Sequence, residues 1–209
     1  MFFSGKKIFC VGHNKTGTTS LAAAMKDMGY KVGRQSVAER LFDAWCHRDF
    51  GRIAKYCRSA EFFQDVPFSL PYLYVALDQA FPGSKFILTV RDSADVWYES
   101  TCKFHERIVG KGRLPTWADL EEYDYREKGW LLDVMRRAYG VSDEQQLYDG
   151  DHYRAYYERH NAAVVDYFRF RPDDLLVINL AEKDSMERLC RFLGRPFAGQ
   201  EMPHMNKRK

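Results

Sequence analysis

The stretch from Lys7 to Gly29 restricts the fold more than any other part of the chain. Ile8 to Val11 is a short apolar run preceded by two lysines, which reads as a buried strand. Gly12 to Thr19 is a polar loop containing Gly12 and Gly17. Ser20 to Met28 is rich in Ala and Leu and is stopped by Gly29, the pattern of a helix. A strand that passes through a glycine loop into a helix is the first half of a crossover, and crossovers join parallel strands.

The alternation continues. Tyr30 to Gly33 reads as a second short strand, and residues 36–58 as helical, with Val37, Leu41, Ala44 and Trp45 at helical spacing. Phe62 and Phe63 begin a third strand ending near Asp65, and Pro67 and Pro71 punctuate the loop that follows. Leu73 to Phe81 reads as a helix closed by Pro82-Gly83. Lys85 to Val90, KFILTV, is the clearest strand; its near-continuous apolar character suits a central parallel strand covered on both faces. Helices are expected over 94–108, 117–139 and 151–169, a last strong strand over Leu175 to Leu180, and a helix over Met186 to Leu193. The tail from Arg195 reads as irregular.

These elements predict an α/β fold: three α/β/α layers around a central parallel sheet of about five strands. A single domain over 1–209 is expected, with the helical stretch 94–169 as a cap. The composition agrees, with 45% hydrophobic and 29% charged residues in 209. Those values exclude collagen-like, coiled-coil and wholly disordered chains. A net charge of +3 requires no nucleic-acid coat, so no nucleic-acid partner is expected, while a local basic site for a small anion stays open. The five cysteines are widely spaced, odd in number and without CxxC, which points to reduced thiols and a cytoplasmic setting. No metal is expected, because no zinc-ligand spacing occurs. No signal segment and no membrane span is read in the sequence.

Gly12-His13-Asn14-Lys15-Thr16-Gly17-Thr18-Thr19-Ser20-Leu21 lies between a predicted strand and a predicted helix, the setting of a phosphate loop. A helix N-terminus presents N–H donors and a partial positive charge. Gly17 lets the backbone wrap an anion, Lys15 adds a full charge, and Thr16, Thr18, Thr19 and Ser20 add hydroxyls. The two glycines fit the nucleoside-triphosphatase pattern GxxxxGK[ST], but Thr18 stands where that pattern has its lysine. This counts against ATP or GTP hydrolysis and for another phosphate donor.

Lys15-Thr16-Gly17-Thr18-Thr19-Ser20-Leu21 resembles the 5′-phosphosulfate loop of the sulfotransferases, which use 3′-phosphoadenosine 5′-phosphosulfate (PAPS). A second family element, a strand ending in Arg followed by a helix bearing Ser, is matched by Phe86 to Arg91 and then Trp97-Tyr98-Glu99-Ser100. The resemblance assigns Arg91 and Ser100 to the nucleotide 3′-phosphate; Glu99 stands at the family's usual serine spacing and Ser100 one residue later. Asp65-Val66-Pro67, Phe81-Pro82, Tyr157-x-x-His160 and Phe192-Leu193-Gly194-x-Pro196 extend the likeness over nearly the whole chain, to a small, bacterial-type branch.

The resemblance implies sulfuryl transfer from PAPS to a small-molecule, lipid or carbohydrate hydroxyl, with PAP as product. It gives Lys15 the leaving phosphate, with no metal required. An acceptor hydroxyl needs a base within hydrogen-bond reach. Asp65, following a strand, is the first candidate, with a turn-capping role as the alternative. His105, on the helix after Arg91, is the second, with a structural role as the alternative. His13 carries no assignment, His160 is read as tying a helix to the core, and His204 is a candidate to close over the site. Lys111, Arg113 and Lys207-Arg208-Lys209 are candidate anion contacts or solvated charges. The four tryptophans read as core. Two rival functions remain: a Mg-ATP-dependent small-molecule or nucleotide kinase, and a non-catalytic nucleotide-binding member.

Overall fold

A computed structural model describes residues 6–204. In chain order the elements are β1 Ile8–Cys10, α1 Thr18–Asp27, α2 Gln35–Ala38, α3 Phe42–Cys46, α4 Phe50–Tyr56, β2 Phe62–Phe63, α5 Leu73–Ala80 and β3 Lys85–Thr89. Then come α6 Ala94–Ile108, α7 Trp117–Glu122, α8 Trp130–Val134, α9 Gly150–Phe168, β4 Leu175–Ile178 and α10 Ser185–Phe192.

The four strands form one parallel sheet in the order β2-β1-β3-β4. The chain steps from β1 to β2 on one side and then returns to β3 on the other. That reversal opens a crevice beyond the carboxyl ends of β1 and β3, the place where such sheets bind ligands. The sheet has four strands rather than about five. Tyr30 to Gly33 runs beside β2 but contributes only a single bridge, Val32 to Phe62.

Side chains alternate across the sheet and divide the core in two. Phe9, Val11, Phe63, Phe86 and Leu88 face one way, onto Ala44, Ile53, Ala54, Leu73, Leu77 and the α9 residues Val164 and Phe168. Ile8, Cys10, Phe62, Ile87 and Ile178 face the other way, onto Leu21, Ala24 and Met25 of α1 and Met186 and Leu189 of α10. Both faces are thus covered, which is why the strands carry apolar residues at successive positions.

The chain divides into two compact units, one of residues 1–91 with 161–209 and the other of residues 92–160. The first holds the sheet. The second is helical and has its own core of Trp97, Leu120, Leu132, Met135, Val141 and Tyr153. Residues 117–139 form no continuous helix: α7 ends at Glu122, an antiparallel bridge joins Asp124 to Lys128, and a π segment follows α8.

In the first unit, Asp78 on α5 is only 6% exposed. It accepts from Tyr167 Oη at 2.7 Å and from both terminal nitrogens of Arg171, at 3.1 and 2.7 Å. The guanidinium fork and the phenol together satisfy a carboxylate that burial alone would penalise. Asp78→Ala is expected to cost about 2–3 kcal/mol, on the order of 5–10 °C in Tm for a chain of this size. Thermal unfolding followed by circular dichroism checks this, and Arg171→Lys, which keeps charge but loses the fork, should fall between the two.

Candidate active site

The loop after β1 is built around a close backbone approach. A Cβ at Gly12 would lie 2.2 Å from Thr89 Oγ1 and 2.4 Å from the Thr89 carbonyl oxygen. Only glycine lets β1 leave the sheet flush against the end of β3. Thr89 Oγ1 then lies 2.6 Å from Thr16 Oγ1, and Thr16 Oγ1 donates to the His13 carbonyl at 2.5 Å. Thr16, 1% exposed, therefore closes the loop on itself with its hydroxyl turned inward.

Lys15 and Gly17 both adopt left-handed backbone, with φ of 72° and 96°. For Lys15 this is a costly conformation, and Arg91 holds it: its Nε donates to the Lys15 carbonyl at 2.6 Å. The arginine leaving β3 thus braces the loop that follows β1. Gly17 starts α1, and among the described residues no side chain caps that end. The first turn, Thr18-Thr19-Ser20, contains no acid. Its amides and dipole, next to the Lys15 turn that Arg91 braces, form a cradle of the kind that suits an anion. A P-loop lysine has no equivalent at Thr18, whose side chain is buried.

Asp65 follows β2. The β1–β2 register of Ile8 with Phe62 and Phe9 with Phe63 brings it abreast of the start of the loop. Its φ is 55°, a region that Asp tolerates better than most residues. Part of the residue remains accessible, but its carboxyl is enclosed, and Oδ1 is buried without a hydrogen-bond partner. Burial pushes the carboxyl up to about 6; the Thr18 hydroxyl opposes this, the Glu39 carboxylate adds to it, and Lys15 opposes it. An acid enclosed in this way changes charge nearer to neutral pH than a free carboxyl does. Cys10, below it on β1, is pushed up to about 12 by burial and stays a thiol.

His105 and Ser100 both lie on α6, in the second unit. His105 is buried, with Nδ1 3.1 Å from Tyr148 Oη, and so helps to order that unit's core. Glu99 points to the surface and pairs with Lys103 at 2.9 Å, while Ser100 is half-buried. Arg113 is engaged by both carboxylate oxygens of Asp119, at 2.6 and 3.2 Å, and Lys111 is exposed. His13 and His160 are buried and His204 is exposed. Trp97 stacks on Tyr157 with centroids 4.8 Å apart, and Trp45 Nε1 donates to the Pro71 carbonyl at 3.1 Å. Lys207, Arg208 and Lys209 lie outside the described residues. No group of three or more His, Cys, Asp or Glu side chains able to hold a metal occurs among the described residues.

Sequence reasoning missed Thr89, the bracing contact of Arg91, and Glu39. Glu39 reads in the sequence as one more polar residue of a helix, yet it is 5% exposed and its charge reaches Asp65.

The raised Asp65 carboxyl has a consequence for stability. Between about 3.8 and about 6 the folded chain holds a proton that the unfolded chain releases. Stability therefore falls as pH rises through that window, and above it the buried charge is a net cost. Asp65→Asn should remove that cost, on the order of 1–3 kcal/mol, and raise Tm at pH 8 by a few degrees. The difference from wild type should vanish or reverse near pH 4, which thermal melts across that range would show.

The sulfotransferase domain family matches residues 7–209. Among curated proteins, none matches the chain. No helix among the described residues is long and apolar enough to cross a membrane. A match over almost the whole sequence, on a parallel sheet flanked by helices, shows that the chain belongs to the sulfotransferase domain family.

Proposed function

We propose that this sulfotransferase moves a sulfuryl group from PAPS to the hydroxyl of a small-molecule, lipid or carbohydrate acceptor. In this reading Lys15 and the first turn of α1 hold the donor phosphate and Asp65 is the base. The observation that carries it is the Asp65 carboxyl, whose buried Oδ1 has no hydrogen-bond partner and which the β1–β2 register sets abreast of the loop that bears Lys15 and Thr18. PAPS, when bound, supplies the sulfuryl group and leaves as PAP.

The chain's own contributions follow from position. The amides of Thr18, Thr19 and Ser20 and the Lys15 ammonium meet negative charge on the phosphate. Arg91 keeps the Lys15 backbone in its left-handed turn and adds charge at the exit of β3. With Ser100 it is assigned, by family, to the nucleotide 3′-phosphate. Thr16 keeps the loop closed through His13 and Thr89. Asp65 accepts the acceptor's hydroxyl proton at its carboxylate. His105, the second candidate base, is already engaged with Tyr148, so Asp65 takes the role. A kinase would need a cation where Thr18 stands, and a non-catalytic member would have no use for a carboxyl poised near neutrality.

Transfer of labelled sulfate from PAPS to a panel of hydroxyl acceptors tests the reading. Lys15→Ala is expected to lower kcat by roughly 10²–10³. Asp65→Asn should lower it by about 10²–10⁴ without loss of PAP binding. In the wild type the rate should rise with pH through about 6 as Asp65 loses its proton, and then level off. Full transfer by Lys15→Ala would overturn the mechanism.

A further inference from the structure

α4 and α5 pack side by side within the first unit, on the face of the sheet opposite α1. Between them runs a groove of about 450 Å³, within the size range of small-molecule sites. Phe50, Gly51 and Ala54 of α4 and Ala76 and Ala80 of α5 form its apolar part. Its floor is recessed: Phe50, Ala76 and Ala80 rest on the first core, and Ala54 is 4% exposed. Lys55 and Arg58 supply its only charges, and no acid lines it. The two cations are three residues apart, so they neighbour each other on one side of the groove. Both are exposed, so they can meet a ligand without first being drawn out of the core.

We propose that this groove binds a small amphipathic anion, a carboxylate carried on a short acyl or aryl body. The apolar body lies along Phe50, Ala54, Ala76 and Ala80, and the carboxylate meets Lys55 and Arg58. Charge complementarity selects the anion, because the groove offers two cations and nothing to repel it. Size and shape select a small ligand. From Ala76 to Ala80 the wall rises about 6 Å, little more than one helical turn, which is too short to seat a partner helix. A bilayer takes up apolar groups that protrude, whereas these are sunk between two helices. The site is separate from the phosphate cradle, which opens at the start of α1 on the other face of the sheet.

Gly51 provides a clean block. It lies within α4, and a Cβ there would meet nothing nearer than Asp49 Oδ1 at 3.7 Å. Gly51→Leu therefore fills the groove while favouring the helix. The test is an NMR titration of ¹⁵N-labelled protein with octanoate, read at the backbone amides. Saturable shifts confined to α4 and α5 are expected, with a dissociation constant on the order of 1 mM for an anion of about ten heavy atoms. Binding should weaken more than tenfold in Gly51→Leu and roughly tenfold in the double variant Lys55→Gln, Arg58→Gln, and octanol should bind roughly tenfold more weakly than octanoate. Absence of saturable shifts, shifts at the α1 loop alone, or binding undiminished in folded Gly51→Leu overturns the proposal. So does co-sedimentation with phosphatidylglycerol vesicles, or self-association lost in Gly51→Leu, in place of octanoate binding.

Discussion

The site depends on the approach of Gly12 to Thr89. A side chain of any size at residue 12 would drive β1 and β3 apart at their carboxyl ends, where the order of successive strands switches sides. With glycine there, Thr89 and Thr16 share a hydroxyl contact that folds the loop inward, and the chain emerges with Lys15 and Gly17 in left-handed turns. The same adjacency of β1 and β3 puts Arg91 within reach of the Lys15 carbonyl. Loop shape, lysine placement and the uncapped start of α1 are thus one construction, held by two neighbouring strands rather than by the loop's own sequence.

Enclosing Asp65 costs stability, since its charged form is the one disfavoured by burial and by Glu39. Asp78 with Arg171 and Tyr167 shows the contrast: there a buried acid is fully satisfied by donors and serves only to join α5 to the end of α9.

The sequence was most readable where a segment's structure is decided locally. KFILTV became β3 because unbroken apolar residues leave a short segment no other well-covered state, and the loop between β1 and α1 carried its glycines openly. Reading was poorer where the tertiary setting decides. Residues 36–58 show helical spacing throughout, yet the helix breaks at the Glu39–Leu41 turn and again before α4, where Arg48 takes a φ of 57°. Tyr30 to Gly33 reads as a strand, but it pairs with β2 through a single bridge, Val32 to Phe62, with Gly33 N–H donating to the Phe62 carbonyl at 2.8 Å. His105 was a plausible base on helical position alone; its partner Tyr148 lies 43 residues away, beyond any local pattern. Glu39 could not have been picked out, because its burial follows from how its turn is fixed against the core.

The central claim is that the cradle between β1 and β3 holds the phosphate groups of an adenosine 3′,5′-bisphosphate rather than a triphosphate with magnesium. Calorimetric titration of the purified protein with PAP, and separately with ATP and Mg²⁺, tests it most directly. Saturable binding of PAP, weakened in Arg91→Ala, with no binding of ATP–Mg²⁺ is the predicted result. Binding of ATP–Mg²⁺ with none of PAP would contradict it.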